Sequence, residues 1–317
     1  MEVLRKHILF FVLACCALIA CNDDNESVID SCLDEGFFST VTDRSFKMGF
    51  TTWPYAPDPS SVFDTFDFIE ANGDIYTEHY DTHIPWYSYI NNSPLPSDFT
   101  ETISFKTSQK PQNLDMVLAV SLLNTLRTGL MEDADGNVPA YSSLNDDVIF
   151  NAYMDHLRYL VNAFQPEYLL FGIEVDFIFI NDTLNWNEYL ALSGRIQNQL
   201  RIEYPLIQIS ASITLHNLVE NSDVSNMPEL RQAMASYMSG LDFSAISFYP
   251  FTRQFFTKTE LRTAFDLLHS LTQNRIAFVE TNSIAEDLNI PNLGINILGN
   301  ECIQNTYLEF GKHSLIM

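Results

Sequence analysis

Seven short apolar segments alternate with stretches of helical periodicity along a chain with no linker. This pattern predicts an α/β fold, a TIM-type (β/α)8 barrel that is apparently truncated before or within its eighth strand. Strand–helix alternation argues for a parallel sheet. From residue 43 onward roughly 275 residues remain, the size of one such barrel, and no glycine/serine stretch divides them. Two of the apolar segments, Tyr168-Leu-Leu-Phe-Gly-Ile-Glu174 and Arg275-Ile-Ala-Phe-Val-Glu280, stop at a glutamate and run into a polar loop. The carboxyl ends of the strands are where such a barrel carries its reactive groups. No Gly-x-Gly-x-x-Gly follows the first strand, which excludes the main signature of a dinucleotide fold.

The chain opens on a segment that does not belong to the barrel. Arg5, Lys6 and His7 precede an apolar stretch from Ile8 to Ile19, and small Ala20 precedes Cys21. Residues 1–20 therefore read as an export signal, too short to span a bilayer as a helix. Leu18-Ile-Ala-Cys21 resembles a lipoprotein signal in which Cys21 is lipidated, and acidic Asn22-Asp-Asp-Asn-Glu26 begins a linker over 21–42. The expectation is a lipid-anchored protein on the outer membrane or cell surface, held by acyl chains alone. Sixteen Lys and Arg against 41 Asp and Glu give a net charge of −25, which argues against nucleic acid as a partner. The charge serves solubility and suits a neutral or cationic ligand, and the aromatic content fits a neutral one. Three of the five cysteines fall in the leader or at its end. Cys32 and Cys302 remain and could pair in an oxidising compartment. No cysteine–histidine cluster has zinc spacing, and the expectation is a monomer with no metal and no cofactor.

The expected strands are Phe46 to Thr52, Asp74 to His79, Asp115 to Leu122, Glu167 to Glu174, Leu206 to Thr214, Asp242 to Tyr249 and Arg275 to Thr281. Between them, Asp147 to Phe164 and Asn187 to Glu203 place apolar residues near helical spacing. Thr257-Lys-Thr-Glu260 reads as a capping box opening a helix with Leu261, Phe265 and Leu268 on one stripe. Alternation along the fifth strand sets Gln208, Ser210, Ser212 and Thr214 against Ile207, Ile209, Ala211 and Ile213. In the sixth, Ala245, Ser247 and Tyr249 oppose Ile246 and Phe248. Small or polar side chains inside and branched ones outside fit a crowded barrel under helices. In the fourth, counting back from Glu174 puts Gly172 and Leu170 on its face and Ile173 on the other. The second strand is ambiguous, since neither Glu78 nor His79 obviously faces a helix. Residues 81–113 and 124–146 read as long loops. Gly299 to Phe310 reads as the helix after the seventh strand, and too little chain follows for an eighth unit; an early stop or an open barrel with two unpaired edges is expected.

Glu174 and Glu280 end strands on opposite sides of a barrel mouth, and two facing carboxyl groups suit acid–base and nucleophilic chemistry. Trp53, Trp86 and Trp186 each follow a strand, with Tyr55, Tyr87 and Tyr89 near them. An indole there is either a platform for the apolar face of a sugar or packing under its loop. His79, Asp81 and His83 cluster after the second strand, a set that could suggest a metal but suits hydroxyl contacts or loop hydrogen bonds better; Asn124 and His216 follow the third and fifth and are candidates for hydroxyl contacts or satisfied loop polar groups. Asp133-Ala-Asp-Gly-Asn137 lacks the distal glutamate of a calcium loop.

Phe171-Gly-Ile-Glu174, Phe278-Val-Glu-Thr281 and Ser247-Phe-Tyr-Pro250 together resemble the clan of retaining glycoside hydrolases built on (β/α)8 barrels. Within it the likeness is nearest to endo-β-1,4-galactanases and endo-mannanases, over Phe46 to about Phe310. The resemblance implies Glu174 as acid/base, Glu280 as nucleophile, and Tyr249 donating a hydrogen bond that keeps Glu280 ionised. It implies an endo-acting hydrolase of a galactan- or mannan-like β-glycan. The clan usually carries asparagine before the acid/base, where Ile173 stands here. A non-catalytic glycan-binding lipoprotein on the same scaffold is the alternative.

Overall fold

The computed structural model describes residues 45–253, 255–291 and 295–314. The leader, Cys21 and the linker therefore lie outside the described residues. Strand β1 (Gly49–Thr51) leads into helix α1 (Pro59–Asn72). Asp58 opens that helix by accepting from the Ser60 and Ser61 N–H groups, with Pro59 in its first turn. After β2 (Ile75–Tyr80) come α2 (Trp86–Asn91) and α3 (Ser97–Ser108). The order continues with β3 (Asp115–Val120), α4 (Asp147–Phe164), β4 (Tyr168–Leu170), α5 (Asp176–Asn181) and α6 (Thr183–Glu203). The fifth strand is in two pieces, β5 (Gln208–Ser210) and β6 (Ser212–Thr214), followed by α7 (Leu215–Val219) and α8 (Met227–Met238). Then β7 (Ser244–Phe248) and a 3-10 turn at Pro250–Arg253 precede α9 (Lys258–Leu271), which starts on the capping box expected at Thr257 and Glu260. Strand β8 (Ile276–Thr281) is followed by an antiparallel pair, β9 (Leu288–Ile290) with β10 (Ile295–Ile297), and by α10 (Glu301–Ser314).

All neighbours in the arc are parallel. β1 to β5 form one sheet in chain order and β6, β7 and β8 another. Only Ala211 separates β5 from β6, so the two sheets continue into one another through the fifth strand. All seven expected strands are therefore present, in a fold of the TIM-barrel type. Among the described residues no further parallel strand pairs with β1 or β8.

Side chains divide into two layers. The inner layer is thin: Val117, Ala119, Leu170, Ile173, Phe243, Ala245 and Val279. The outer layer, between sheet and helices, is much larger and contains Tyr76, Leu118, Leu169, Ile209, Ile213, Ile246 and Phe248 under residues such as Ile69, Leu157 and Phe265. The face assignments of the fifth and sixth strands hold. The second strand resolves as follows. Glu78 shares a face with Tyr76 and Tyr80, ion-paired to Lys106 of α3 and accepting from Thr52 Oγ1 at 2.8 Å. His79 points the other way.

Two expectations need correction. Residues 81–113 are not a loop, because α2 and α3 lie within them. Helix α3 is polar and rich in threonine and serine, and buries only Phe99 and Ile103, four residues apart, so its apolar stripe is one turn long. Gly172 and Ile173 also exchange faces. Regular pairing of β4 stops at Leu170, and Ile173 joins the inner layer. A Cβ on Gly172 would lie 2.9 Å from both Tyr189 Oη and Val175 Cγ1, which belong to the outer layer.

Candidate active site

Both glutamates reach the barrel mouth through departures from strand geometry. After Leu170 the chain stays bonded to the fifth strand, Phe171 N–H to Ser210 O (3.0 Å) and Val175 N–H to Ser212 O (3.0 Å). Between them Glu174 adopts the left-handed region, φ 51°, and its N–H donates to Ser212 Oγ at 2.9 Å. In β8 the register slips: Ile246 pairs with Phe278 but Ser247 pairs with Glu280, leaving Val279 as the extra residue of a bulge. Simple alternation from Ala277 and Val279, both inner-layer contacts, would send Glu280 outward among the helices. The bulge brings it inward instead, a common use of bulges beside reactive sites.

A line of hydroxyls joins the two. Ser247 Oγ lies 3.2 Å from Glu280 Oε2 and 3.4 Å from Ser212 Oγ. Its single proton can serve one of them. Given to Glu280, it leaves Ser247 to accept from Ser212, which in turn accepts from the Glu174 N–H. The Tyr249 hydroxyl also lies beside the Glu280 carboxylate.

Burial raises the pKa of both carboxyl groups, and the balance of neighbours differs. For Glu174 the next contribution is the charge of Glu280, which raises it further, while Arg127 and the Thr214 hydroxyl oppose the rise. For Glu280 the opposing groups are Ser247, Tyr249 and Arg127, and Asp81 adds to the rise. Charge on either glutamate disfavours charge on the other, so the two groups resist ionising together.

Arg127, on the loop after β3, was not singled out in the sequence. Its Nη2 sits 3.3 Å from Glu174 Oε2, with both side chains largely buried. Its Nη1 donates to Asn124 O (3.1 Å) and lies 3.4 Å from Ser121 Oγ. A lone arginine among polar loop residues carries no motif, and only the fold turns it toward the glutamates.

The remaining candidates divide. His79 is buried with both ring nitrogens unpartnered, its ring 4.9 Å from that of Trp53. Burial lowers its pKa, keeping it neutral. Trp53 is 49 % exposed. His216, at the start of α7, is buried with Nδ1 unpartnered and its pKa pushed down to about 4 by burial. Trp86 and Trp186 are not platforms. Trp86 is 2 % exposed and its Nε1 donates to Met131 O at 2.6 Å. Trp186 is 4 % exposed, stacked on Tyr189 on the buried face of α6. Asn124 is engaged by its own turn: its Oδ1 accepts from Thr128 N–H at 3.0 Å and its O from Arg127 N–H at 2.9 Å. It shapes the Arg127 loop rather than facing a ligand. His83 packs beside Phe99, and among the described residues no group of three His, Cys, Asp or Glu side chains is arranged to hold a metal ion. Cys302 is disulfide-bonded; Cys32, its expected partner, lies outside the described residues.

Beneath Glu174, Asp176 is fully buried and accepts from Thr214 N–H (2.8 Å) and Asn217 Nδ2 (3.0 Å). It thereby ties the start of α5 to the end of β6 and to α7, which carry Thr214 and His216. Burial raises its pKa from the ordinary 3.8 to about 7. A carboxyl that holds its proton more tightly when folded contributes stability fully present below pH 3.8 and lost as the pH rises to about 7. Asp176→Asn is expected to flatten the fall in stability between those limits, read by urea denaturation at a series of pH values. His156 and His216, with pKa values lowered to about 3 and about 4, act in the opposite sense but are common to both proteins and cancel in the difference. An unchanged slope would refute the assignment.

Comparison with solved structures places this architecture. The chain is similar to the GH53 catalytic domain of Ignisphaera aggregans (TM-score 0.52, 15 % identity, covering 84 % of this chain and 77 % of that one). It is similar to fungal β-1,4-galactanases (TM-score 0.53, 18 % identity, 79 % and 76 %). A third likeness is to the exo-β-1,4-mannosidase Op5Man5 of Opitutaceae bacterium strain TAV5 (TM-score 0.52, 11 % identity, 88 % and 61 %). The fold is that of TIM-barrel glycoside hydrolases. No protein-family model matches the chain, and no curated protein matches it.

Proposed function

We propose that the chain is a retaining glycoside hydrolase acting on a β-linked glycan. The observation that carries this reading is the pair of buried glutamates at the barrel mouth, joined through the Ser212 and Ser247 hydroxyls and both raised in pKa by burial. Glu174 gives its proton to the glycosidic oxygen as the bond to the anomeric carbon breaks, and that oxygen leaves with the bonding electrons. Glu280 forms the new bond to carbon. Water, deprotonated by Glu174, then opens the glycosyl-enzyme and restores both groups. Tyr249 and Ser247 hold Glu280 as the anion. Unpartnered polar atoms on the strand ends and loops that carry the pair (His79, His216 Nδ1 and Arg127 Nε) leave unmet hydrogen-bonding capacity that sugar hydroxyls supply. Trp53 offers a flanking ring face.

A galactan- or mannan-like substrate and internal cleavage are part of the proposal, in keeping with the galactanase likeness. So is anchoring through lipidated Cys21 at the outer membrane or cell surface, which the leader supports. The test is proton NMR of the products formed from β-1,4-galactan and β-1,4-mannan. Release of the β-anomer first, followed by mutarotation, is expected; first release of the α-anomer would refute retention. Binding of an oligosaccharide with no turnover would favour the binding-protein alternative.

A further inference from the structure

Among the described residues four non-glycine residues have positive φ, and two of them, Arg127 (57°) and Glu174 (51°), are the two ends of one ion pair. Such conformations are unfavourable for a residue with a side chain and persist where the surroundings over-determine them. The surroundings here do so. Residues 124–129 form a closed turn, with Asn124 N–H donating to Gly129 O (3.0 Å) and Arg127 N–H to Asn124 O (2.9 Å). Asn181, at the end of the helix after Glu174, donates from Nδ2 to Arg127 O at 3.1 Å. The guanidinium is fixed a second time by its own Nη1 contact to Asn124 O. Two strained backbones on different elements are thus held so that one cation meets one carboxylate.

We propose that Arg127 is a positioning residue for Glu174: fixed by its loop against this carboxylate, it holds the side chain across the mouth from Glu280 and sets the upper pH limit at which Glu174 can serve as an acid. The proposal rests on the glycosidase reading for the acid role, and on geometry alone for the clamp. The groups facing Glu174 are Glu280 from β8, Tyr249 after β7, Thr214 of β6, Asp176 at the start of α5, and Arg127. Arg127 is the cation set against these acids. An adjacent positive charge favours the carboxylate over the neutral acid, so the clamp narrows the range in which Glu174 carries a proton. It touches Glu174 directly, whereas on Glu280 it acts through charge alone, behind Ser247 and Tyr249. Its loss therefore moves the two limbs of a pH profile unequally.

The experiment compares the wild-type full chain with Arg127→Gln and Arg127→Lys. In Arg127→Gln the alkaline limb of kcat/KM is expected to move up by about one pH unit, as for loss of a neighbouring opposite charge, with a smaller upward move of the acidic limb. Arg127→Lys, which keeps the charge, restores the wild-type limb. A readout free of turnover is the carbon-13 titration of glutamate carboxyl groups, with the Glu174 signal identified by its absence in Glu174→Gln. Its midpoint is expected to rise in Arg127→Gln and return in Arg127→Lys. Activity loss with both limbs and the midpoint unmoved would overturn the proposal. A shifted midpoint in a protein that hydrolyses nothing would sustain the clamp and remove the hydrolase reading.

Discussion

Glu280→Gln is expected to lower turnover of a β-glycan by at least about 10⁴-fold, equivalent to roughly 5.5 kcal/mol of transition-state stabilisation. An amide cannot form the glycosyl-enzyme, and the Val279 bulge brings this one strand-end carboxylate inward. Glu174→Gln is expected to fall less, by about 10²–10⁴-fold. Its loss should shrink on a substrate whose leaving group needs no proton, such as a dinitrophenyl glycoside, because only the acid step is missing. Neither change should unfold the protein. Each glutamate is held with its pKa raised by burial, so a neutral side chain of the same shape removes a desolvation cost. The measurement is steady-state kinetics on polymer and on activated glycoside, beside thermal melting of each variant. Full activity in either variant would remove the two-carboxylate mechanism, and a collapse of melting temperature would assign the glutamates to the fold instead.

How much of this was legible in the sequence follows from which signals are local. The seven strands were, because each is an apolar run of strand length between polar stretches. The start of α9 was too, since its two capping partners are three residues apart. The position of Glu174 and Glu280 at strand ends was readable, but the way they point was not. Periodicity counts residues on a regular strand, but Glu174 is itself a left-handed residue and Glu280 sits just past a bulge. Counting back from Glu174 accordingly put Gly172 and Ile173 on the wrong faces. Arg127 was invisible for another reason. Its role depends on the contact between a loop after β3 and a carboxylate after β4, and no spacing in the chain encodes that. Helix α3 was hidden by composition, because two buried residues four apart are too few to raise a periodic signal over its serines and threonines.

The tryptophans show where position in sequence is least informative, and they give the second large expected effect. All three follow strands, yet they differ in exposure by more than tenfold between Trp53 and Trp86. Trp86→Ala should cost about 3–5 kcal/mol of stability, the range for removing a buried aromatic side chain. It deletes the contact with Tyr153 of α4 and leaves Met131 O, inside the fold, without its indole donor. Tyr153 in turn has its hydroxyl 3.1 Å from Phe171 O and 3.3 Å from Val120 O, so the loss spreads toward the strand ends that carry the site. Trp53→Ala should do the reverse. Half exposed and resting on the His79 ring, it should change stability by no more than about 0.5 kcal/mol. It should weaken oligosaccharide binding about tenfold, roughly 1.4 kcal/mol. Chemical denaturation and calorimetric titration with a galacto- or manno-oligosaccharide read the two quantities on the same samples. If Trp53→Ala binds as tightly as wild type, the indole is only a lid over His79 and the sugar lies elsewhere. If Trp86→Ala keeps wild-type stability, the outer layer does not depend on this residue as its burial implies.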